Sequence, residues 1–269
     1  MIGLIGYGIV GKAIENTLSK KFDLKIYDKF MSLDKFESLI QCKFIFVAVP
    51  TPFDCSKNQV DQSAVLESLK KLEELEYSGI VIIKSTLAPG TCDNYSSEFS
   101  LNIVFNPEFL RESTTPNEDF ENQDTVVIGS PDLETYQLVE SMFREVLLPE
   151  AVYYFTSTTE AEMIKCAQNT MLASRVALAN MIFDACIEHD INYDKIKGIA
   201  FDNFEILGPH MTLVPGPDGK RGFGGKCLPK DIRAFSTIHN SKLLKSIIDY
   251  NDTLREDLNN FLLNYQGKK

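Results

Sequence analysis

The stretch GLIGYGIVGKAI, residues 3–14, decides the fold of the N-terminal part of the chain. It sets Gly6, Gly8 and Gly11 in a GxGxxG register between a short apolar run and an amphipathic segment. Gly6 permits a tight turn, Gly8 lets the backbone approach a pyrophosphate, and Gly11 allows a helix to pack closely on a strand. The register therefore predicts strand, turn and helix, with the helix N-terminus facing a phosphate group.

Asp28 ends the second predicted strand at the distance from this turn that suits a ribose hydroxyl partner. A carboxylate at that position repels a 2′-phosphate, so we expect the cofactor to be NAD and not NADP. The neighbouring Lys29 acts against this preference. The alternative is that the three glycines serve only a tight turn.

Residues 1–155 alternate short apolar runs with amphipathic helical segments, the clearest helix being 60–75. This alternation predicts an α/β domain with a Rossmann-type, doubly wound parallel sheet. The predicted strands are 2–5, 24–27, 44–49, 79–84, 102–105, 125–128 and 151–155.

The remainder, 156–269, is expected to be an all-helical domain for substrate binding and dimerisation. Residues 157–189 contain no Gly or Pro, which predicts one long central helix. Because its apolar residues occur nearly all around, we expect it to be buried on several sides and to form a homodimer. Further helices are predicted near 193–202 and 231–262.

Composition narrows the class of function. The net charge of −11 argues against a nucleic-acid partner. No apolar run reaches the roughly 20 residues of a membrane span, and the first residues already resemble a strand, so we expect a cytoplasmic protein without a leader. The six cysteines and three histidines lack metal-ligand spacing, so no metal is expected.

Three pairs of polar residues are candidates for catalysis because each pair is four residues apart, as on one face of a helix. They are Glu108 with Glu112, Lys165 with Asn169, and Cys227 with Asp231. Lys165 belongs to an apolar stretch in which an unpaired ammonium would be costly, and a carboxamide follows one turn later. That combination suits an oxyanion site, although a structural role is equally compatible with the spacing.

Cys227 is the cysteine with surroundings that favour a thiolate. Pro229 suits the first turn of a helix, so Cys227 is expected just before a helix N-terminus, flanked by Lys226 and Lys230. Glycines at positions 222, 224 and 225 leave room for a substrate to approach the backbone. The other five cysteines are expected to be structural.

Several longer motifs resemble the UDP-glucose/GDP-mannose dehydrogenase family, in the order typical of that family. They are VPTP, KSTLAPGT, NPEFLRE, KCAQNTMLASRVALAN, GFGGKCLPKD and LLKSIIDYNDTLRED, and together they extend over essentially the whole chain. The resemblance implies oxidation of the primary alcohol of a nucleotide sugar to a carboxylate, with two hydrides passed to two NAD molecules. UDP-glucose is the first expected substrate.

The same resemblance implies roles for individual residues. Cys227 would form a thiohemiacetal and then a thioester, Lys165 and Asn169 would hold the alkoxide and oxyanion states, and Glu112 would activate the hydrolytic water. Asp231 and Thr86 would order water or support Lys165, with Glu108 beside the substrate. The expected cofactor contacts are Gly6, Gly8, Ile9, Val10, Gly11, Asp28, Lys29, Pro50, Thr51, Thr86, Glu112 and Lys230. The expected substrate contacts are Glu108, Phe109, Leu110, Lys165, Asn169, Arg221, Phe223, Gly224, Gly225 and Cys227.

Full-length relatives carry a third, C-terminal α/β domain over the nucleotide, which these residues do not include. The chain is then a short active form, a protein completed by another chain, or a fragment with residual function. Relatives also often carry an arginine near the position of Ile206, for which Arg221 or Lys220 would substitute. The other hypotheses are a single-step 3-hydroxyacid-type dehydrogenase, which does not need Cys227, and a non-catalytic NAD-binding protein.

Overall fold

The structure is a computed structural model that describes residues 1–110, 115–203, 213–238 and 241–256. It divides into two compact units, Met1–Lys165 and Cys166–Lys269. The division falls within one long helix, so the predicted domain boundary after residue 155 stays a prediction.

The first unit is built on a seven-stranded sheet in the order β2-β1-β3-β6-β7-β8-β9. All neighbouring strands are parallel except β7 and β8, which pair antiparallel through Phe105 and Gly129. The strands are β1 (Ile2–Ile5), β2 (Leu24–Tyr27), β3 (Phe44–Val47), β6 (Ile80–Ile83), β7 (Asn102–Phe105), β8 (Thr125–Gly129) and β9 (Val152–Thr156).

The central strands are apolar throughout because both faces of the sheet are covered. Ile45 and Ile83 lie in one core cluster of the first unit, and Phe46 and Ile82 lie in another. All four residues of β1, β3 and β6 are buried. Continuous burial explains why these runs show no alternation of apolar and polar residues in the sequence.

Helices connect the strands of this sheet, and the helix predicted at 60–75 occupies Ser63–Glu74. The helices of the first unit are α1 (Ile9–Leu18), α2 (Ser63–Glu74), α3 (Thr91–Glu98), α4 (Pro116–Glu121) and α5 (Leu133–Arg144). A small antiparallel hairpin of β4 (Phe53–Asp54) and β5 (Gln59–Val60) was not predicted. The Rossmann-type sheet predicted from the sequence is confirmed.

Helices form the second unit, as predicted. Helix α6 (Thr158–Glu188) runs through the division between the units, and α7 (Tyr193–Lys197), α8 (Leu228–Ile238) and α9 (Lys242–Glu256) follow it. Ala173, Phe223, Ile232 and Leu244 pack together in one core cluster of this unit. Helix α6 is long and apolar enough to cross a membrane, but core helices of soluble proteins satisfy the same criterion, so this is weak evidence.

Candidate functional site

The three glycines of the first turn differ in what the surrounding backbone allows. Gly6 has φ +95°, and a Cβ there would lie 2.4 Å from the Ala48 carbonyl oxygen. A Cβ on Gly11 would lie 2.2 Å from the Gly6 carbonyl oxygen, so α1 packs this closely only because residue 11 lacks a side chain. A Cβ on Gly8 would meet no protein atom within 4 Å. The fold therefore requires Gly6 and Gly11, and leaves open space at Gly8.

This open space lies at the start of helix α1. Gly8 is the N-cap residue and offers no side-chain hydrogen bond to the first turn. The first-turn amides, which include those of Ile9 and Val10, have no acceptor within the helix, and the helix dipole places partial positive charge there. Space and unpaired N–H groups together suit the pyrophosphate of a dinucleotide.

Asp28 follows β2 and links the turn to the end of that strand. Its Oδ2 accepts a hydrogen bond from the Tyr7 amide at 2.9 Å, and its Oδ1 accepts one from the Phe30 amide at 2.9 Å. Lys29 extends its ammonium to Glu67, with Nζ 2.8 Å from Oε2. The carboxylate expected to bind a ribose hydroxyl is thus fixed by two backbone amides.

A cavity of about 290 Å³ lies between these elements of the first unit. Of the predicted cofactor contacts, Gly6, Gly8, Asp28, Lys29 and Pro50 line it. The buried Thr51 hydroxyl lies in the same unit and donates to the Thr86 carbonyl oxygen at 3.0 Å. The open turn, the fixed carboxylate and the cavity fit a bound NAD.

A buried lysine that was not among the predicted site residues lies after strand β6. Lys84 Nζ is 2.9 Å from Asn106 Oδ1, 3.3 Å from the Pro107 carbonyl oxygen and 3.5 Å from Glu108 Oε2. Burial lowers the pKa of Lys84, and the nearby Glu108 carboxylate opposes that shift. Lys84 therefore holds the chain that follows β7, on which Glu108 lies.

Lys165 meets the same segment of the first unit. Its ammonium donates a hydrogen bond to the Glu108 carbonyl oxygen and lies 5.5 Å from the centre of the Phe109 ring. The Leu110 amide donates to the Glu108 carboxylate. The structure thus brings Lys165, Glu108, Phe109 and Leu110 together. Their predicted partner Glu112 lies outside the described residues.

Cys227 and Asp231 lie in the second unit, at the start of helix α8. Asp231 N donates to the Cys227 carbonyl oxygen at 2.9 Å, which is the helical turn that the four-residue spacing predicts. Asp231 is fully buried and accepts a hydrogen bond from the Asn169 amide group. Lys230 Nζ lies 3.6 Å from Asp231 Oδ1, which has no hydrogen-bond partner among the described residues. Cys227 itself is half-buried.

The glycine-rich loop before Cys227 is held by two asparagines. The Gly222 amide donates to Asn180 Oδ1 at 3.0 Å, and the Phe223 amide donates to Asn251 Oδ1 at 2.7 Å. The Phe223 ring is 2 % exposed and packs in the core of this unit. Only its backbone is thus left to meet a ligand.

Two further glycines of this loop have special positions. Gly225 has φ +77°, a conformation that favours glycine. A Cβ on Gly224 would lie 1.8 Å from Arg255 Nη2. The backbone conformation therefore favours glycine at position 225, whereas a side chain at position 224 would require the Arg255 guanidinium to move.

Arg221 was expected to contact substrate, and in the second unit it pairs with Asp184. Its guanidinium also lies 5.3 Å from the centre of the Phe183 ring, and Tyr250 donates to the other Asp184 oxygen at 2.7 Å. The arginine thus takes part in a network that joins the loop to helices α6 and α9.

Both parts of the chain match domains of one known protein family. Residues 2–147 match the NAD binding domain of the UDP-glucose/GDP-mannose dehydrogenase family, and residues 159–253 match its central domain. The chain is 32% identical over 219 residues to a UDP-glucose 6-dehydrogenase of Rickettsia felis, which covers 77% of this chain and 47% of that protein. It is 28% identical over 257 residues to one of Campylobacter jejuni, with 93% and 63% covered. The chain thus spans about half the length of such curated relatives.

Solved structures show the same fold. A UDP-glucose dehydrogenase from Pyrobaculum islandicum superposes with a TM-score of 0.79 at 21% identity, covering 94% of this chain and 68% of that one. A UDP-D-ManNAc dehydrogenase from Pyrococcus horikoshii gives a TM-score of 0.80 at 19% identity, with the same coverage. By its two matched domains, and with NAD as the cofactor of the first, the chain belongs to the UDP-glucose/GDP-mannose dehydrogenase family.

Proposed function

We propose that this chain carries out the NAD-dependent four-electron oxidation of a UDP-sugar, with UDP-glucose as substrate and UDP-glucuronate as product. The observation that carries the proposal is that one chain of this family holds both an open dinucleotide turn at Gly8 and a half-buried thiol at a helix start. The names of the curated relatives support the choice of UDP-glucose.

Cys227 is the proposed nucleophile, and NAD when bound supplies the hydride acceptor. The Cys227 Sγ forms a C–S bond to the carbonyl carbon of the intermediate aldehyde, and the carbonyl oxygen takes up the thiol proton to give a thiohemiacetal. Loss of a hydride and a proton from this adduct gives a thioester. Water then cleaves the C–S bond, which returns the thiol and leaves a carboxylate. A thiol suits both stages, because the thiohemiacetal can be oxidised to a thioester and water readily cleaves a thioester.

The neighbouring groups of each unit have distinct proposed tasks. In the second unit, Asp231 accepts a proton or orders water, and its hydrogen bond from Asn169 fixes its orientation. In the first unit, Lys165 donates N–H groups to a developing alkoxide, oriented by its bond to the Glu108 carbonyl. By the family resemblance, Glu112 activates the water and Thr86 supports Lys165.

The test is to incubate the 269-residue chain with NAD and a panel of UDP- and GDP-sugars. Two NADH formed per UDP-glucose support the four-electron reaction. One NADH per substrate indicates the single-step dehydrogenase instead, and tight NAD binding without turnover indicates a non-catalytic protein.

A thiol substitution separates the two oxidation stages. Cys227→Ser should lower carboxylate formation by about 10³-fold or more. Cys55→Ser removes an exposed thiol from the first unit and should retain activity. Full activity of Cys227→Ser would rule out the thioester mechanism.

We also propose that the chain forms a homodimer through the long helix at residues 157–189. Helix α6 exposes large apolar side chains, with Met171 65%, Leu178 54% and Met181 51% exposed. Apolar surface of this extent is typical of interfaces. Sedimentation at micromolar concentration should give a dimer, which Leu178→Glu disrupts, whereas a monomeric wild type contradicts the proposal.

A further inference from the structure

Four charged side chains line the cavity at the end where the adenosine of NAD is expected. Asp28 and Lys29 follow strand β2, while Glu67 and Lys71 lie one turn apart on helix α2, and all four line the cavity. Their formal charges sum to zero. A ligand that differs by one phosphate at this end will therefore be sensitive to each of them.

Glu67 holds the lysine that would otherwise attract such a phosphate. Lys29 Nζ lies 2.8 Å from Glu67 Oε2 and 3.1 Å from Oε1. Lys71 Nζ lies 3.3 Å from the same Oε1. The two lysines lower the pKa of Glu67, and Glu67 raises the pKa of Lys29, so the pair stays ionised at neutral pH.

The Lys29–Glu67 pair contributes little to the stability of the fold, because its side chains are 57% and 41% exposed. Exposed ion pairs contribute little to folding. Their charges still act on a ligand in the adjoining cavity. Asp28, already fixed by the Tyr7 and Phe30 amides, supplies only one of the negative charges there.

We infer that Glu67 is a specificity-determining residue that excludes NADP from this site. Its carboxylate keeps Lys29 directed toward α2 and adds a second negative charge to that of Asp28. A 2′-phosphate therefore meets repulsion from two carboxylates, while both nearby ammonium groups are already hydrogen-bonded to Glu67. The ribose hydroxyl of NAD carries no charge and meets neither effect.

Glu67→Gln removes one negative charge with little change of shape and releases Lys29 and Lys71. Calorimetric titration should show the ratio of the NADP to the NAD dissociation constant falling by about tenfold. Glu74→Gln is the matched control, because it removes the same charge from the same helix at an exposed position that does not line the cavity. It should leave the ratio at the wild-type value.

Two further measurements decide whether Lys29 is the intermediary. The double variant Glu67→Gln/Lys29→Gln should lose most of the gain in NADP binding. The gain should also shrink at about 0.5 M salt, where screening shortens the range of charge interactions. An unchanged ratio in Glu67→Gln, or an equal change in Glu74→Gln, overturns the inference. The readout is dinucleotide binding, so this outcome is independent of which sugar the chain oxidises.

Discussion

Two alanine substitutions in the first turn should separate folding from cofactor binding. In Gly11→Ala the new methyl group lies 2.2 Å from the Gly6 carbonyl oxygen and 3.1 Å from its carbonyl carbon, both backbone atoms. Such overpacking costs about 3 kcal/mol, and the better helix propensity of alanine returns about 1 kcal/mol. The net loss of about 2 kcal/mol lowers Tm by about 4–8 °C in a unit of this size.

Gly8→Ala should behave in the opposite way. Its φ of −78° and ψ of −158° suit alanine, and the methyl group meets no protein atom within 4 Å. Restriction of the unfolded chain stabilises such a variant by about 0.4–1 kcal/mol. Alanine is a poorer N-cap than glycine, which offsets this gain, so Tm should be nearly unchanged. The methyl group occupies the space needed by the pyrophosphate, and NAD affinity should fall at least about tenfold.

Thermal unfolding and calorimetric titration with NAD, run on both variants, test this contrast. The expected pattern is a lower Tm for Gly11→Ala and lost NAD affinity with retained Tm for Gly8→Ala. Wild-type NAD affinity in Gly8→Ala would refute the assignment of the open space to the dinucleotide. A wild-type Tm in Gly11→Ala would show that α1 does not need its close approach to Gly6.

Three other substitutions test buried charges. Lys84→Met leaves Glu108 without its buried ammonium and should destabilise the first unit by about 3 kcal/mol, measured by urea unfolding; no change in midpoint contradicts this. Burial raises the pKa of Glu162 above its ordinary value of 4.5, so the folded state binds a proton more readily than the unfolded state. The Tm of the wild type should therefore rise relative to that of Glu162→Gln as the pH falls from neutral toward 4.5. A fall of the wild-type Tm relative to that of Glu162→Gln over this pH range would rule out a raised pKa of Glu162. Asn169→Asp places a second carboxylate against the buried Asp231 and should lower the free energy of unfolding by about 3 kcal/mol at neutral pH. This loss should be recovered in acid, whereas a loss that does not depend on pH indicates a change in packing instead.

Much of the first unit was predictable because its signals are local. Strands β1, β3 and β6 are apolar runs whose burial follows from the helices on either side. The three glycines of the turn lie within six consecutive residues, so their spacing can be recognised in the sequence. The antiparallel pairing of β7 with β8 was not predictable, because strand direction depends on how residues 106–124 return to the sheet. The hairpin at 53–60 also gave no signal, since its strands are two residues each and do not alternate.

The candidate site was predictable only where its partners are close in sequence. Cys227 and Asp231 lie on one helical turn, as their spacing of four residues predicts. Lys84 was missed because its partner Glu108 follows a different strand and becomes a neighbour only when β6 pairs with β7. Its one available signal was a lysine at the end of a buried strand, GIVIIK, where an ammonium needs a partner. Arg221 was assigned to the substrate from the family resemblance. Its ion pair with Asp184 was not predictable, because the two residues lie 37 positions apart and no spacing rule connects them.

The loop before Cys227 is held by contacts within the second unit itself. The backbone of this loop is hydrogen-bonded to Asn180 on α6 and Asn251 on α9. Gly222 has φ +73°, and a Cβ there would lie 2.5 Å from Asn251 Oδ1, so the loop cannot accept a larger residue without losing that bond. If Cys227 is the nucleophile, as proposed above, the fixed loop before it does not by itself distinguish one aldehyde from another. In that mechanism, selection among nucleotide sugars comes from the groups that hold the nucleotide and the sugar ring.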